Sequence, residues 1–390
     1  MKMNQWTLGL AAVGLVSLPG VVAAEEASQH LLTALSSTTI SGFVDTSANW
    51  NFGTGNANVP AIPFIPAGRA DGFNLNYVQV TIQKPLDAQD NWAAGYRVDL
   101  GYGDDLPLFG TTAGNTGIKQ AYVALRAPVG NGINFKVGVF DSIIGYETFE
   151  RVNNPHYSHS YGYLLEPTSH TGVLASYQIT ELVGVSAGVA NSIAPLINNR
   201  TYLGTGLGVG HAESYKTTMG SLTLKAPDSW GFLAGSALYG GIINGVGSAA
   251  LTTAHQNYYA GATLNTPWTA VKVGFAYDYA GNNGVGAKVA GTHAYTIGGY
   301  VSVKATDKLT FLARGEHYKD SQGLGAGLPS RVVAGTATIQ YDLWANVLSR
   351  LEFRWDHQAD GTGRYYGSNA AGAPDRRNAL MLAANIIYKF

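Results

Sequence analysis

Polar and apolar residues alternate along most of this chain with a period of two, the beat of a strand with one wet and one dry face. The first clear case covers 39–52. Ile40, Val44, Ala48, Trp50 and Phe52 fall on one face, and Ser41, Asp45, Ser47, Asn49 and Asn51 on the other. The next, over 73–84, slips phase near Tyr77 and Val78, which predicts a bulge. Residues 92–102 set Trp92, Tyr96, Val98 and Leu100 against Arg97 and Asp99. Further strands are predicted over 118–127, 132–141, 171–179, 183–191, 215–226, 232–241, 257–266, 270–280, 293–304, 309–318, 331–341, 348–357 and 377–390. In the last of these Ala384, Ile386, Tyr388 and Phe390 share a face, opposite Asn385 and Lys389. A strand ending on a bare aromatic is unusual in water and expected of a barrel closing in a membrane.

The pattern gives about 16 strands, the even number of an antiparallel barrel with both ends on one side. Connectors alternate in length. Short ones, such as 85–90, 128–132, 227–230 and 305–308, are interleaved with long ones near 53–72, 103–117, 142–170, 192–214, 242–256, 281–292, 319–330 and 358–376. A soluble sandwich has no reason to segregate its loops this way. Trp92, Trp230, Trp268 and Trp344 fall in or beside short connectors, whereas Trp50 and Trp355 fall at the opposite strand ends. Two interfacial aromatic belts produce that distribution. The fold expected is therefore all-β, a transmembrane antiparallel barrel over 38–390.

Composition agrees. The 390 residues are 13% charged and hold 50 Gly, 23 Tyr and no Cys, so the sheet must hold itself together without disulfides. A net charge of −1 argues against nucleic acid as a partner. Lys2, the apolar stretch 8–18, the Pro19-Gly20 break and Val22-Ala23-Ala24 before Glu25 predict a cleaved signal peptide over 1–24, followed by a lead segment over 25–37. Catalytic and cofactor motifs carry little weight. Gly184-Val185-Ser186-Ala187-Gly188 matches G-x-S-x-G but sits within an alternating strand, not at a strand-turn-helix. His156 and His159 lack a clear third ligand. The glycine-rich 204–210 lacks the lysine of a phosphate loop. No enzyme, metal or cofactor is expected.

Charges must face the lumen, because one facing lipid at mid-depth costs about 2–4 kcal/mol. On 348–357 Arg350, Glu352, Arg354 and Asp356 oppose Leu351, Phe353 and Trp355. On 309–318 Arg314 and Glu316 share a face, as Arg97 and Asp99 do earlier. The long segment 142–170 brings Glu147, Glu150, Arg151 and Glu166, with Asn153-Asn154-Pro155 between them. These charges are the candidates for a pore constriction, with Arg314, Arg350 and Arg354 as a basic wall across from an acidic loop. The same residues could instead form neighbouring salt bridges that fill polar lumen surface. Tyr122 and Tyr300 are inward candidates too. Both signs occur, so solute charge is not readable.

Segments 39–47 (TISGFVDTS), 119–123 (KQAYV), 136–141 (KVGVFD) and 166–172 (EPTSHTG) resemble the OmpL-like β-barrel porins of Gram-negative-type outer membranes. The resemblance spans nearly the whole mature chain. It implies an outer-membrane channel passing small hydrophilic solutes and ions by diffusion, and it identifies no solute. It also implies outer-membrane lipid as surroundings, handling by the barrel-assembly machinery through Phe390, and a homotrimer. The third long loop, 142–170, resembles in position and acidity the loop that folds in and narrows general porins, and the alternative for it is an external cap or adhesin-like loop. The competing readings are a structural or adhesive barrel without an open pore, and a lipase-like enzyme, for which no convincing serine–histidine pair is found.

Overall fold

The computed structural model describes residues 37–52, 69–87, 92–108, 114–200, 215–246, 254–283, 292–321, 328–361, 363–367 and 373–390. The expected signal peptide, the lead segment apart from Ser37, the 204–210 stretch and parts of several long loops lie outside the described residues. The strands are β1 (Thr39–Asn51), β2 (Gly72–Lys84), β3 (Ala93–Tyr102), β4 (Thr116–Ala127), β5 (Ile133–Asp141), β6 (Ser169–Gln178), β7 (Val183–Ala190), β8 (Thr217–Lys225), β9 (Ala237–Val246), β10 (Ala254–Asn265), β11 (Val271–Asn283), β12 (His293–Lys304), β13 (Leu309–Asp320), β14 (Arg331–Trp344), β15 (Val347–Gln358) and β16 (Asn378–Lys389). Each pairs antiparallel with its sequence neighbours, and β1 pairs β16 from Phe43 with Lys389 to Asn51 with Met381. Gly42 and Phe390 exchange both backbone hydrogen bonds, at 2.9 and 3.0 Å. Closure leaves no unpaired edge, as hydrocarbon surroundings demand.

The period-two beat decides which way each side chain points. On β15 Leu351, Phe353 and Trp355 are exposed on the outer face, while Arg350, Glu352, Arg354 and Asp356 face inward, each 4% exposed or less. On β16 Met381, Ala383, Asn385 and Ile387 are buried inside, with Ile386 and Tyr388 outside. Trp92, Trp230, Trp268 and Trp344 are exposed at the rim of short turns, and Trp50 and Trp355 near the rim of long loops.

Two departures from perfect alternation carry structure. Asp45 pairs Tyr77 but Thr46 pairs Leu75, so Asn76 is the extra residue of a bulge where the sequence loses phase. A second bulge, at Lys119, separates the Asp99–Gln120 and Leu100–Ile118 pairs. Each bulge adds an inward polar side chain, a usual service of bulges. One strand lies elsewhere than its pattern predicts. Residues 228–233 form a 3-10 turn, with Gly231 at φ 60° and Gly235 at φ 79°, and β9 begins only at Ala237. Trp230 and Phe232 are exposed apolar residues at the rim. They mimic the start of a strand because membrane interfaces reward aromatic residues whatever their backbone conformation.

The connection between β5 and β6, residues 142–168, enters the interior. Its Ile144 packs into a cluster with Phe140, Leu174, Met219, Ile243 and Tyr259. Phe149 and Tyr163 join Phe43, Tyr77, Leu106, Leu348 and Ile387. Tyr161 and Leu165 join Ala280, Ala294 and Tyr318, and Tyr157 lies against Met381 and Ala383. The barrel's core is thus this loop and the wall it touches.

Candidate functional site: the inserted loop and the lumen beside it

Local sequence shapes the loop that the wall receives. Gly145 adopts φ 118°, and a Cβ there would run into the Glu166 carboxyl, so only glycine fits where the loop turns inward. Asn154 closes a turn by accepting from the Thr148 amide at 2.8 Å and donating to the Thr148 carbonyl at 2.7 Å. Its own backbone is extended, as the following Pro155 requires. Ser160 caps the short helix Tyr161–Leu165 by accepting from the Tyr163 amide at 3.1 Å.

Wall charges then satisfy the loop's irregular backbone. Glu352 accepts from the amides of Tyr157 and Ser158 at 2.6 and 2.9 Å, and Glu316 accepts from the Tyr161 amide at 2.6 Å. Arginines take the carbonyls. Arg314 donates to Ser158 O at 2.8 Å, Arg354 to His159 O at 2.6 Å, and Arg350 to Arg151 O at 2.9 Å and also to Asn154 O. Side chains add more. Glu147 accepts from Arg314 at 2.8 Å, Arg314 lies 2.7 Å from Glu316, and Arg354 holds Asp356 at 2.9 Å. Buried backbone groups left unpaired would each cost about 1–3 kcal/mol, so these contacts are what allows a coil to sit inside a barrel.

The candidates divide by position. Glu147, Arg314, Glu316, Arg350, Glu352 and Arg354 converge on one seam, along β13 and β15, in direct contact with the loop and not across open water. Arg97 and Asp99 pair with each other at 2.9 Å on β3, and Gln120 donates to Asp99 at 2.8 Å. Glu150 is 6% exposed and faces the charged group of Asp141, Lys119, Asp99 and Arg97. Glu166 lies at the loop's far end beside Asp278. Tyr300 donates to Glu147 at 3.3 Å, and Tyr122 lies under Lys136 Nζ at 4.8 Å.

Other anchors have weaker sequence signals. Tyr157 OH meets Ser47 at 2.9 Å and Asn49 at 3.1 Å, and Asn76 at the bulge donates to Asp45 at 2.9 Å. Arg151 pairs with Asp105, which Arg69 also reaches at 2.8 Å. The polar face of β1 is legible in sequence, but its partner, a tyrosine 108 residues away from Asn49, is not. The remaining motifs find other roles. Ser186 lies within β7 with its hydroxyl 2.9 Å from that of Ser176. His156 meets Thr338 at 2.8 Å and His159 lies 3.3 Å from Glu147. Among the described residues no three metal-ligating side chains gather.

Along the wall away from the seam, space remains. A cavity of about 200 Å3 is bordered by Arg97, Lys136, Glu150, Ser221, Thr223 and Tyr239. Glu147 and Glu166 also reach it. A second, of about 500 Å3, lies toward the short-turn rim and shares Tyr146, Tyr239 and Thr263 with the first.

The loop's two end carboxyls respond oppositely to pH. Burial alone would raise Glu147, but Arg314, His159 and the Ser160 amide outweigh it and hold its pKa near 2. Burial, reinforced by the carboxyl of Asp278, pushes Glu166 well up. A depressed carboxyl contributes stability above its ordinary pKa and loses it as pH falls through the folded value. The Glu147 latch should therefore weaken as pH falls from about 4.5 to about 2. Glu166 runs the other way, its stabilising proton being lost as pH rises. Single-channel recordings should become larger and noisier on acidification through that window. Glu147→Gln should be noisy already near neutral pH and change little on acidification. A wild-type trace that is flat over the window would refute the latch.

Many solved chains share the fold. The anion-selective porin of Comamonas acidovorans matches 91% of this chain and 99% of its own, with TM-score 0.64 and 12% identity. The outer-membrane channel DcaP of Acinetobacter baumannii matches 90% and 97%, with TM-score 0.58 and 12% identity. OmpT of Vibrio cholerae, in-vitro folded and in a trimer form, matches 90% and 99%, with TM-score 0.55 and 13% identity. No curated protein matches the chain. Residues 37–390 match the family model described as "Putative beta-barrel porin-2, OmpL-like". Family and fold point to a channel rather than an enzyme, and the chain belongs to the OmpL-like beta-barrel porin-2 family of the outer membrane.

Proposed function

We propose that small hydrophilic solutes and ions diffuse through this porin along the free side of the inserted loop, from the smaller cavity beside Glu150 into the larger one near the short turns. One observation carries the reading: the loop is hydrogen-bonded to the β13–β15 wall while two adjoining cavities of mixed polar and apolar lining persist beside it, reaching from β3 round to β12. In this reading Arg97, Glu147, Glu150 and Glu166 border the path. Asp99 orients Arg97, and Arg314, Glu316, Arg350, Glu352 and Arg354 hold the loop in place. A narrow path edged by both signs admits water-soluble solutes and hinders apolar ones. Export by a cleaved leader, folding guided through Phe390 and assembly into a homotrimer complete the proposal. The trimer form of the OmpT neighbour supports the last of these.

Refolded protein in planar bilayers should give stepwise conductance. Ser221→Trp on β8, beside the smaller cavity, should cut it severalfold. A bulky residue at Thr336 of β14, behind the loop, should instead disturb the loop and make the current noisy. Confirmed insertion without conductance would sink the reading, and a Ser221→Trp channel of unchanged size would move the path elsewhere.

A further inference from the structure

The larger cavity has a chemistry of its own. Lys225 of β8 and Lys272 of β11 reach it from the short-turn side, and among the described residues no carboxylate lines it. Its volume lies within the range of small-molecule sites. Tyr146 from the loop and Tyr300 from β12 stack at 4.0 Å and 17°, giving it a flat aromatic wall, and Tyr239 lies beside them. His156 closes it from the loop.

The hydrogen-bond chain fixes the state of that histidine. Thr338 Oγ1 donates to Glu352 Oε2 at 2.9 Å, so its oxygen accepts from His156 Nδ1 at 2.8 Å. Nδ1 therefore carries the proton, and Nε2 is left as a lone-pair acceptor. Among the described residues Nε2 has no hydrogen-bond partner, although the residue is 1% exposed. Burial, with Arg314, Arg350 and Arg354 nearby, pushes the imidazole pKa well below its ordinary value, so the ring is neutral. A buried acceptor without a donor is destabilising. The His156 ring borders a cavity that the two ammonium groups also line.

We propose that this cavity is a solute-binding subsite for small ring carboxylates that carry a ring hydroxyl. The carboxylate meets Lys225 and Lys272, the ring lies against the tyrosines, and the hydroxyl donates to His156 Nε2. The proposal rests on the diffusion path above and names the solute class that path would favour.

The test is current block in planar bilayers, with para-hydroxybenzoate or benzoate added on the short-turn side. The hydroxylated ligand should block at about one-tenth the concentration of benzoate, the ratio one well-made hydrogen bond supplies. Lys225→Gln with Lys272→Gln, both near the rim, should raise the half-blocking concentration of both ligands by about tenfold. His156→Phe should erase the difference between the ligands and leave lysine-dependent block. Equal block by the two ligands, or block indifferent to the lysines, overturns the subsite even if ligand-free conductance is normal. The ligand comparison needs only wild-type protein, so it stands if the histidine variant misfolds. Absence of ligand-free conductance would strike the diffusion path instead.

Discussion

Replacing Arg314 with methionine should free the inserted loop and enlarge the channel without dissolving the barrel. The guanidinium donates to Glu147, to the carbonyls of Ser158 and His159 and to the hydroxyls of Ser158 and Thr336, and lies beside Glu316. Methionine keeps much of the side-chain length and removes every donor. It leaves two carboxylates buried without their cation, and breaking a buried pair in this one-sided way costs about 3–5 kcal/mol. That cost falls on the loop, because strand pairing between β13 and its neighbours is backbone to backbone. The expected channel is larger and noisier, with the compact gel mobility of a folded barrel retained. Adding Glu147→Gln to Arg314→Met removes one stranded charge and should recover part of the loss, as coupled sites do. A methionine variant with wild-type conductance and noise would mean that the loop is held by its apolar clusters alone.

The barrel was legible in sequence because its information is local. Whether a side chain meets lipid or lumen depends only on its neighbours two residues away. The beat on β15 and the phase slip that became the Asn76 bulge follow from that rule, and the tryptophans at the rims follow from the interface's preference for aromatic rings. The rule misplaced β9 where an interfacial aromatic pair satisfied the hydrophobic pattern in a 3-10 turn. Arg97 with Asp99 was also within reach, two positions apart on one face.

The rest of the site was not legible, since its partners are remote. Glu147 and Arg314 are 167 residues apart, and Ser158 and Glu352 194. Periodicity sends the charges inward and says nothing of what meets them. The transverse arrangement of a basic wall and an acidic loop presumed water between them. The loop instead lies on the wall, and arginines that looked like selectivity groups spend their donors on loop carbonyls. The cue that sequence does contain is the density of polar residues on the inner faces of β13 to β15. A water-filled lumen needs no such density, whereas an inserted coil with many backbone groups to satisfy does.

Phe353→Arg should cost the barrel about 2–4 kcal/mol, the price of a charge at mid-membrane depth on the lipid face. Phe353 lies mid-strand on β15, exposed outward between Glu352 and Arg354, which face inward and are fully buried. The adjacent arginine is tolerated because Asp356, the His159 carbonyl and the Ser158 hydroxyl meet its donors. An arginine one residue away has no such partner and must drag water into hydrocarbon or snorkel toward the headgroups. Trp355→Arg, two residues nearer the long-loop rim, should cost less, because the penalty fades toward the interface. Folding into lipid vesicles, followed by gel mobility across a denaturant series, reads both variants. The expected order of midpoints is wild type, then Trp355→Arg, then Phe353→Arg. If Phe353→Arg folded as readily as wild type, the outer face of β15 would not meet lipid, and neither the inward direction of Arg350, Glu352 and Arg354 nor the seam they form with the loop would follow from the membrane's demand.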